Sequence, residues 1–215
     1  VVDGIIPTDL PSVQEYWAGR NEGGPEARCL VTGMLGPVVD RMPTPIKGVP
    51  DGQPTGTTLI SVNMPAGESY GLSATLNSPI GKRAGEKIGN ALNRLLSSDR
   101  HSLRIGKAVY VYWTRGAEEF DFLSFLSNPR PEDVAALLKS AYQGRESAPV
   151  KSSDFFALCL SANVSRIVVR DYQETTIDAV KASLARWFET IRIVPYDGGD
   201  YEPMGIFRLG VSLFR

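Results

Sequence analysis

Histidine and cysteine are scarce in this sequence, which narrows its possible chemistry. The 215 residues include one histidine, His101, and two cysteines, Cys29 and Cys159. Nucleophilic catalysis with a histidine base would have to use that single histidine. Residues 29–32 have the spacing of half a zinc knuckle, but Thr32 stands where a second cysteine would be, and a structural zinc site needs four ligands. We expect no metal and no cofactor. A knuckle-like turn that keeps its shape without metal is still compatible with the sequence.

Long apolar runs and phosphate-loop motifs are also missing. No uninterrupted apolar stretch reaches the roughly 18 residues of a membrane span. Neither Gly-x-x-x-x-Gly-Lys-Ser/Thr nor Gly-x-Ser-x-Gly occurs. Two cysteines cannot form a disulfide framework, which favours a reducing cytoplasm. We therefore expect a cytoplasmic protein without enzymatic activity, and the abrupt ends at Val1 and Arg215 indicate a piece of a longer polypeptide.

Charges of the two signs nearly cancel, with 23 Lys and Arg against 24 Asp and Glu. The total therefore gives no indication of a nucleic-acid partner. The segment from Lys82 to Lys107, however, holds seven basic residues and two acidic ones. A concentrated basic patch attracts nucleic acid even where the total charge does not.

The most unusual stretch is Ile46–Asn77, which is rich in Gly, Ser, Thr, Asn and Gln around a predicted apolar strand, Leu59–Val62. Glycines let a backbone approach a ligand closely, and loops on a rigid scaffold often carry function. A long surface loop around one core strand has the same composition, so both interpretations stay open.

Hydrophobic periodicity predicts an α+β fold with mixed or antiparallel sheets and covering helices. We expect helices over 11–19, 84–97, 120–126 and 131–142, and another after the capping box Thr175-x-x-Asp178, with the stripe Ile177, Val180, Leu184, Trp187, Phe188 and Ile191. We expect strands at 28–32, 101–105, 107–114, 155–160, 166–172 and 192–194, and a strand or extended arm at 1–6. The segment 204–214 is apolar and of undetermined type.

These elements suggest two regions, a loop-rich α+β domain over 1–145 and a smaller strand-strand-helix-strand unit over 146–215, linked near 143–153. The two regions could also pack as one domain. The helix over 84–97 has one apolar stripe, made of Ile88, Ala91, Leu92, Leu95 and Leu96. Lys87, Asn90 and Arg94 share its opposite face. That face is either solvated or touches phosphates.

Several motifs occur in an order and spacing that point to one family. They are Cys29-Leu-Val-Thr-Gly, Ile46-Lys-Gly-Val, Gly52-Gln-Pro-Thr-Gly-Thr, Leu59-Ile-Ser-Val-Asn, Glu68-Ser-Tyr-Gly, Ala91-Leu-Asn, Val109-Tyr-Val-Tyr-Trp and the segment 155–170. With this set the chain resembles the central part of the large subunit of the type I-C CRISPR surveillance complex (Cascade).

The resemblance implies a non-catalytic subunit that helps recognise a short motif beside the target and stabilises the opened strands. In such systems base pairing reads the sequence, while protein reads the flanking motif and backbone shape. The implied partners are target double-stranded DNA, the guide RNA complex, other Cascade subunits, and a helicase-nuclease that is recruited on target binding.

On this interpretation the polar stretch and the basic helix become a recognition surface for DNA or a partner subunit. The candidate residues are Lys47, Gln53, Thr55, Asn63, Ser69, Tyr70, Lys82, Arg83, Lys87, Asn90 and Arg94. A purely structural docking domain is the alternative. A cryptic hydrolase or nuclease is disfavoured because catalytic and metal-binding side chains are too few.

Overall fold

The computed structural model describes residues 7, 10–18, 24–62, 64–68, 70–115, 120–144, 153–192, 196, 198–199 and 202–213. Contacts divide the chain into two compact units. Unit 1 comprises Val1–Ile46 and Thr58–Ala91, and unit 2 comprises Lys47–Thr57 and Leu92–Arg215. The predicted division after residue 145 stays a prediction.

Unit 1 contains one hairpin, one helix and the first part of a second helix among its described residues. Helix α1 spans Pro11–Ala18, and strands β1 (Glu26–Arg28) and β2 (Leu35–Pro37) pair antiparallel. Short 3-10 turns at Pro65–Gly67 and Ala74–Asn77 precede helix α2, Lys82–Leu96, whose residues up to Ala91 belong to this unit. Its core joins Cys29, Ile80 and Ala84, with Met42 and Ile60 packed against them.

An extended segment packs directly on the backbone of α2 because glycines leave room for it. A Cβ atom placed on Gly85 would lie 2.8 Å from Pro43 Cδ, and one on Gly89 would lie 2.5 Å from Thr44 Cβ. Both separations are shorter than side chains tolerate, so only glycine permits this approach.

Unit 2 is built on a four-stranded antiparallel sheet in the order β3-β4-β5-β6. The strands are β3 (Ser102–Ile105), β4 (Ala108–Thr114), β5 (Asp154–Asn163) and β6 (Arg166–Thr176). β5 and β6 form a hairpin that turns at Val164-Ser165, with a register shift between Cys159 and Leu160. Helices α3 (Phe122–Ser127), α4 (Pro131–Gly144), α5 (Ile177–Thr190) and α6 (Ile206–Leu213) complete the unit.

Helices cover one face of this sheet. Tyr112 of β4 and Phe155 of β5 stack with ring centroids 5.6 Å apart. Around them the buried core is Leu123, Val134, Leu137, Ile177, Val180, Leu184 and Phe188, from α3, α4 and α5. Two antiparallel sheets with helices on one face confirm the predicted α+β fold class.

Several local predictions are wrong. Leu59–Val62 is irregular, with bends at Leu59 and Ile60 rather than a strand, and residues 30–32 form a turn instead of continuing a strand. Thr176, one residue after the predicted Thr175, caps α5 by accepting a hydrogen bond from Ala179 N–H over 3.3 Å. Trp187 and Ala91, both placed in buried stripes by the pattern, are exposed. The predicted arm at 1–6 and most of the predicted strand at 192–194 lie outside the described residues.

The other helix and strand predictions hold to within a few residues. The final apolar segment contains α6, and the predicted linker falls mostly outside the described part of the chain. Among the described residues, no helix combines the length and apolarity needed to cross a membrane.

Candidate nucleic-acid interface

Residues 47–57, which we call the glycine loop, form a compact structure within unit 2. Gly48, Asp51 and Gly56 adopt positive φ angles of 84°, 58° and 112°. Gly52 N–H donates to Val49 O over 3.1 Å, and Gly56 N–H donates to Gln53 O over 2.9 Å. Two consecutive turns therefore fold the segment back on itself, and left-handed backbone explains why glycine stands at two of the three positions.

Three polar contacts attach the glycine loop to the rest of unit 2. Lys47 N–H donates to Asn93 Oδ1 over 2.8 Å. Arg104 Nη2 donates to the Gly48 carbonyl oxygen over 3.4 Å. Lys107 Nζ lies 3.2 Å from Asp51 Oδ2, with both side chains largely exposed. Asn93 comes from α2, Arg104 from β3 and Lys107 from the following turn, so three separate elements position the loop.

The loop lies on the sheet face opposite the helices. Side chains alternate between faces along a strand, so Val109 and Val111 point away from the helix-facing Tyr112, and both are fully buried. Arg104 pairs with Val109 in the sheet register, and its side chain reaches the loop. A Cβ atom on Gly52 would also lie 3.4 Å from Ala162 Cβ of β5. The glycine loop thus covers part of the sheet face opposite the helices.

Several polar side chains of the loop face solvent, while Thr57 at its end is buried. Lys47, Gln53 and Thr55 are all exposed. The portions of unit 2 that bring the loop and its contacts together, 47–57 and 92–107, contain five basic residues and two acidic ones. Arg94, exposed in the last turn of α2, is one of the five. The loop therefore presents amide and hydroxyl groups within an excess of positive charge.

The remaining described candidates lie in unit 1. Tyr70 is fully exposed at a positive φ of 57°. Lys82, Arg83, Lys87 and Asn90 are exposed along α2, whose first turn carries no acidic residue. Asn63 and Ser69 lie outside the described residues. The predicted recognition surface is thus divided, with Lys47, Gln53, Thr55 and Arg94 in unit 2 and the other described candidates in unit 1.

Sequence reasoning missed the residues that hold the loop. The basic segment includes Arg104 and Lys107, and Asn93 belongs to the Ala91-Leu-Asn motif, but none of the three is among the candidate residues. Asn93 and Arg104 bind loop residues that lie 46 and 56 positions away in the sequence. The only local indication is the glycine preceding Lys107, which marks the β3–β4 turn at a positive φ of 58°.

His101 and the acidic side chains of β6 contact neighbouring side chains within unit 2. The ring of His101 lies 5.3 Å from that of Tyr112, and its Nδ1 is buried without a hydrogen-bond partner among the described residues. Burial raises the pKa of Tyr112 to about 12. The Asp171 carboxylate accepts hydrogen bonds from Gln173 Nε2 and from Tyr172 N–H. Both donors lie on β6, the strand that also carries Glu174. Within the described ranges, no three His, Cys, Asp or Glu side chains come together as metal ligands would.

Cys29 forms the knuckle-like turn that the spacing left open. Its Sγ accepts a hydrogen bond from Gly81 N–H over 3.3 Å. That bond, followed by one from the Thr32 side chain, lowers the pKa of the thiol to about 7. Backbone hydrogen bonds from Cys29 N–H to Met34 O and from Gly33 N–H to Cys29 O close the turn beside the sulfur.

Comparison with known proteins gives one informative result. No curated protein matches the chain. A family model described as CRISPR-associated protein (Cas_Csd1) matches residues 3–214. The match covers nearly all 215 residues and confirms the resemblance to CRISPR-associated proteins at the level of the family. The chain belongs to the Csd1 family of CRISPR-associated proteins.

Proposed function

We propose that this chain is a non-catalytic, nucleic-acid-binding part of the large subunit of a type I-C surveillance complex (Cascade). In this role it helps recognise and hold target double-stranded DNA beside the guide RNA complex, in contact with other Cascade subunits, and a helicase-nuclease is recruited afterwards. The setting is the cytoplasm. Base pairing with the guide supplies sequence specificity, and the protein supplies backbone contacts and recognition of the flanking motif.

The glycine loop carries this proposal. It is fixed by Asn93 and Arg104, displays Gln53 and Thr55 to solvent, and lies in a segment with excess positive charge. Most protein–DNA hydrogen bonds go to phosphate and sugar, from Lys and Arg but also from Thr, Asn, Gln and backbone N–H groups. A rigid loop of this composition suits backbone recognition, because little conformational freedom is lost on binding.

The absence of catalysis is part of the proposal. Hydrolysis of a phosphodiester requires a metal cluster or a positioned acid and base. Among the described residues the one histidine packs against Tyr112, and the acidic side chains of β6 bond within their own strand. Metal-dependent cleavage by the purified protein would overturn this part.

The test measures duplex DNA binding by the assembled complex at several salt concentrations. Lys47→Glu and Arg94→Glu reverse two exposed charges, one in the loop and one in the last turn of α2. We expect weaker binding and a shallower salt dependence. The slope of log K against log salt is negative, and each lost phosphate contact reduces its magnitude by about 0.9. Gln53→Ala with Thr55→Ala should weaken binding with little change in the slope.

Arg186→Glu is the matched control, because Arg186 is an exposed arginine on α5, outside the loop and the basic segment. It should leave both affinity and slope close to those of the unchanged complex. Unchanged affinity and slope in Lys47→Glu and Arg94→Glu would contradict DNA contact by this surface.

A second candidate function is docking on other subunits without DNA contact. The observation that favours it is an apolar stripe on α6, where Phe207 and Val211 are 45% and 66% exposed at positions four apart. Residues at this spacing share one helix face. If Phe207→Ser with Val211→Ser removes the protein from the purified complex while Lys47→Glu leaves DNA affinity intact, docking is the better description.

A further inference from the structure

Aromatic side chains line one end of the sheet face that lies opposite the helices. Trp113 of β4 and Phe156 of β5 stack with their ring centroids 5.4 Å apart. In the sheet register Val111 pairs with Leu158, and Leu158 pairs with Tyr172 of β6. Tyr172 therefore lies on the same face as the buried Val111, one step along the sheet from the two stacked rings. Its ring is accessible, because Tyr172 is 49% exposed.

This end of the sheet already holds one guanidinium group. Arg115 Cζ lies 5.5 Å from the centroid of the Phe156 ring, and Arg115 Nη1 lies 3.2 Å from Asp154 Oδ2. Asp154 precedes Phe156 by two residues on β5, so the carboxylate and the ring share a face. The ring attracts a cation through its electron density, and the carboxylate attracts it through charge. Asp154 and Phe156 thus form a binding position for a guanidinium, and Arg115 occupies it.

Strand β6 repeats this combination of ring and carboxylate. Tyr172 and Glu174 are also two residues apart on one face, and Glu174 pairs with Phe156 in the register. Tyr172 Oη donates to Glu174 Oε2 over 3.3 Å, which keeps the carboxylate beside the ring. Both residues are exposed. Within the described part of the chain, no lysine or arginine forms an ion pair with Glu174 or lies over the Tyr172 ring.

The local charge favours a cation that comes from another molecule. Asp154 neutralises Arg115, so the Glu174 carboxylate supplies the unbalanced charge beside the ring. Arg170, the nearest cation before Glu174 on β6, is engaged elsewhere, since its Nε donates to Ser161 Oγ over 2.7 Å. Charge complementarity therefore selects a positively charged partner group at this position.

We propose that Tyr172 and Glu174 form a docking site for an arginine of a neighbouring protein subunit, whose guanidinium stacks on the ring and pairs with the carboxylate. The inference rests on the proposed place of the chain in a complex of several subunits and is independent of DNA contact. Arginine fits better than lysine, because its planar guanidinium stacks on rings and donates two parallel N–H groups to a carboxylate. Tyrosine and arginine are also enriched among the side chains that dominate protein interfaces.

A nucleic-acid strand fits this site less well. Proteins that bind single strands stack bases on aromatic rings, but they combine those rings with a positively charged groove along the backbone. The side chain bonded to the Tyr172 ring is the carboxylate of Glu174, which repels phosphate. Contact with nucleic acid at this site is therefore an outcome that overturns the proposal.

The first experiment identifies what lies against the site in the assembled complex. The photoreactive amino acid p-benzoylphenylalanine replaces Val169, which is 50% exposed and pairs with Leu160 on the same sheet face. Tyr172 and Glu174 stay unchanged. After irradiation, mass spectrometry should find a crosslinked peptide of another subunit with an arginine a few residues from the crosslink. A crosslink to nucleic acid, a peptide without such an arginine, or no crosslink to protein overturns the proposal.

The second experiment measures the dissociation constant of the protein for the remaining subunits, without target DNA. Tyr172→Leu removes the ring but keeps an apolar side chain, and Glu174→Gln removes the charge. Each should weaken association roughly two- to fivefold, the range expected for one exposed cation–ring contact or ion pair. Tyr172→Phe keeps the ring and should stay close to the unchanged protein. Unchanged association in both Tyr172→Leu and Glu174→Gln contradicts the docking site.

Tyr110→Leu is the matched control. Tyr110 is a 40% exposed tyrosine on β4, and because it alternates with Val109 and Val111 it lies on the other face of the sheet. The substitution should leave association unchanged. An equal loss in Tyr110→Leu and Tyr172→Leu would mean that damage to the sheet weakens association, which overturns the specific contact.

A double-mutant cycle tests whether the two side chains touch. The arginine identified by crosslinking is replaced with alanine, alone and together with Tyr172→Leu. If the guanidinium stacks on the ring, the combined loss is smaller than the product of the two single losses, whereas independent effects overturn the contact. DNA affinity of the assembled complex should not change in Tyr172→Leu. A failure of the proposed DNA contact would instead appear with Lys47→Glu and Arg94→Glu and would leave the docking site standing.

Discussion

The backbone N–H of Lys47 donates a hydrogen bond to Asn93 Oδ1 over 2.8 Å, joining the start of the glycine loop to helix α2. One side chain thereby fixes the position at which the chain enters the loop. Arg104 holds the next carbonyl, that of Gly48. Consecutive residues of the loop are thus bound to two different elements of unit 2.

Asn93→Ala removes the first of these contacts. Because the bond is exposed, water replaces the lost acceptor in part, and we expect a loss of about 0.5–1.5 kcal/mol in the free energy of unfolding. Urea unfolding, monitored by circular dichroism, measures this loss of free energy. Asn90→Ala, at an exposed position of the same helix, is the control and should change stability by less than about 0.5 kcal/mol. Equal effects of the two substitutions would deny Asn93 its anchoring role.

Gly89→Ala tests the close packing of the extended segment on α2. Alanine favours the helix by about 1 kcal/mol over glycine, but its Cβ would lie 2.5 Å from Thr44 Cβ and 3.0 Å from Thr44 O. Overpacking of this kind typically costs about 1–3 kcal/mol. We expect net destabilisation, seen as a lower urea midpoint.

Gly210→Ala is the matched control for that substitution. Gly210 lies in α6, and no atom lies within 4 Å of where its Cβ would stand. Here only the helix preference acts, so stability should rise by up to about 1 kcal/mol. If both alanine variants shift the urea midpoint in the same direction, the packing on α2 is looser than the structure indicates.

Thr176→Ala distinguishes the observed cap of α5 from the predicted one. The Thr176 hydroxyl oxygen accepts from Ala179 N–H, and loss of such a cap costs about 1 kcal/mol. Thr175→Ala, at the position favoured by the Thr-x-x-Asp pattern, should cost clearly less. Thermal unfolding of the two variants side by side decides between them, and a larger effect at Thr175 would favour the sequence pattern over the structure.

The strands and helices that sequence predicted well are those with a regular apolar period. In β4, Val109, Val111 and Trp113 alternate with Ala108, Tyr110 and Tyr112, and a run of β-branched and aromatic residues that favours a strand is a local property of the chain. The α+β class followed from such segments. The error at Leu59–Val62 has the same origin, because four residues with strand composition need a partner strand, and local composition does not reveal whether one exists.

The candidate site was predictable only in part. Composition identifies the stretch Ile46–Asn77, which contains the glycine loop, as unusual, and the basic segment follows it. It did not reveal that the loop covers part of a sheet face, since the contacts of Asn93 and Arg104 span 46 and 56 positions. It also treated the residues after Cys29 as a strand, although Gly33 at a positive φ of 71° closes a turn there. Long-range pairing decides both features, and periodicity carries no information about it.

The Cys29 thiol gives a pH-dependent prediction. Hydrogen bonds from Gly81 N–H and then from Thr32 lower its pKa to about 7, against 9.0 for an ordinary cysteine. A group whose pKa is lower in the folded state stabilises the fold when it is ionised. Its contribution is fully present above pH 9, declines as the pH falls towards 7, and is lost below that value.

Urea unfolding across this pH range, for the unchanged protein and for Cys29→Ser, isolates the effect, because all other titrating groups are common to both. The difference in the free energy of unfolding should grow in favour of the cysteine as the pH rises from 7 to 9. Thr32→Val removes the second hydrogen bond and should move the rise to higher pH, which thiolate ultraviolet absorbance follows directly. A difference that stays flat from pH 7 to 9 would mean that the sulfur does not ionise in the folded turn, and the Gly81 N–H would then act only as a weak neutral donor to it.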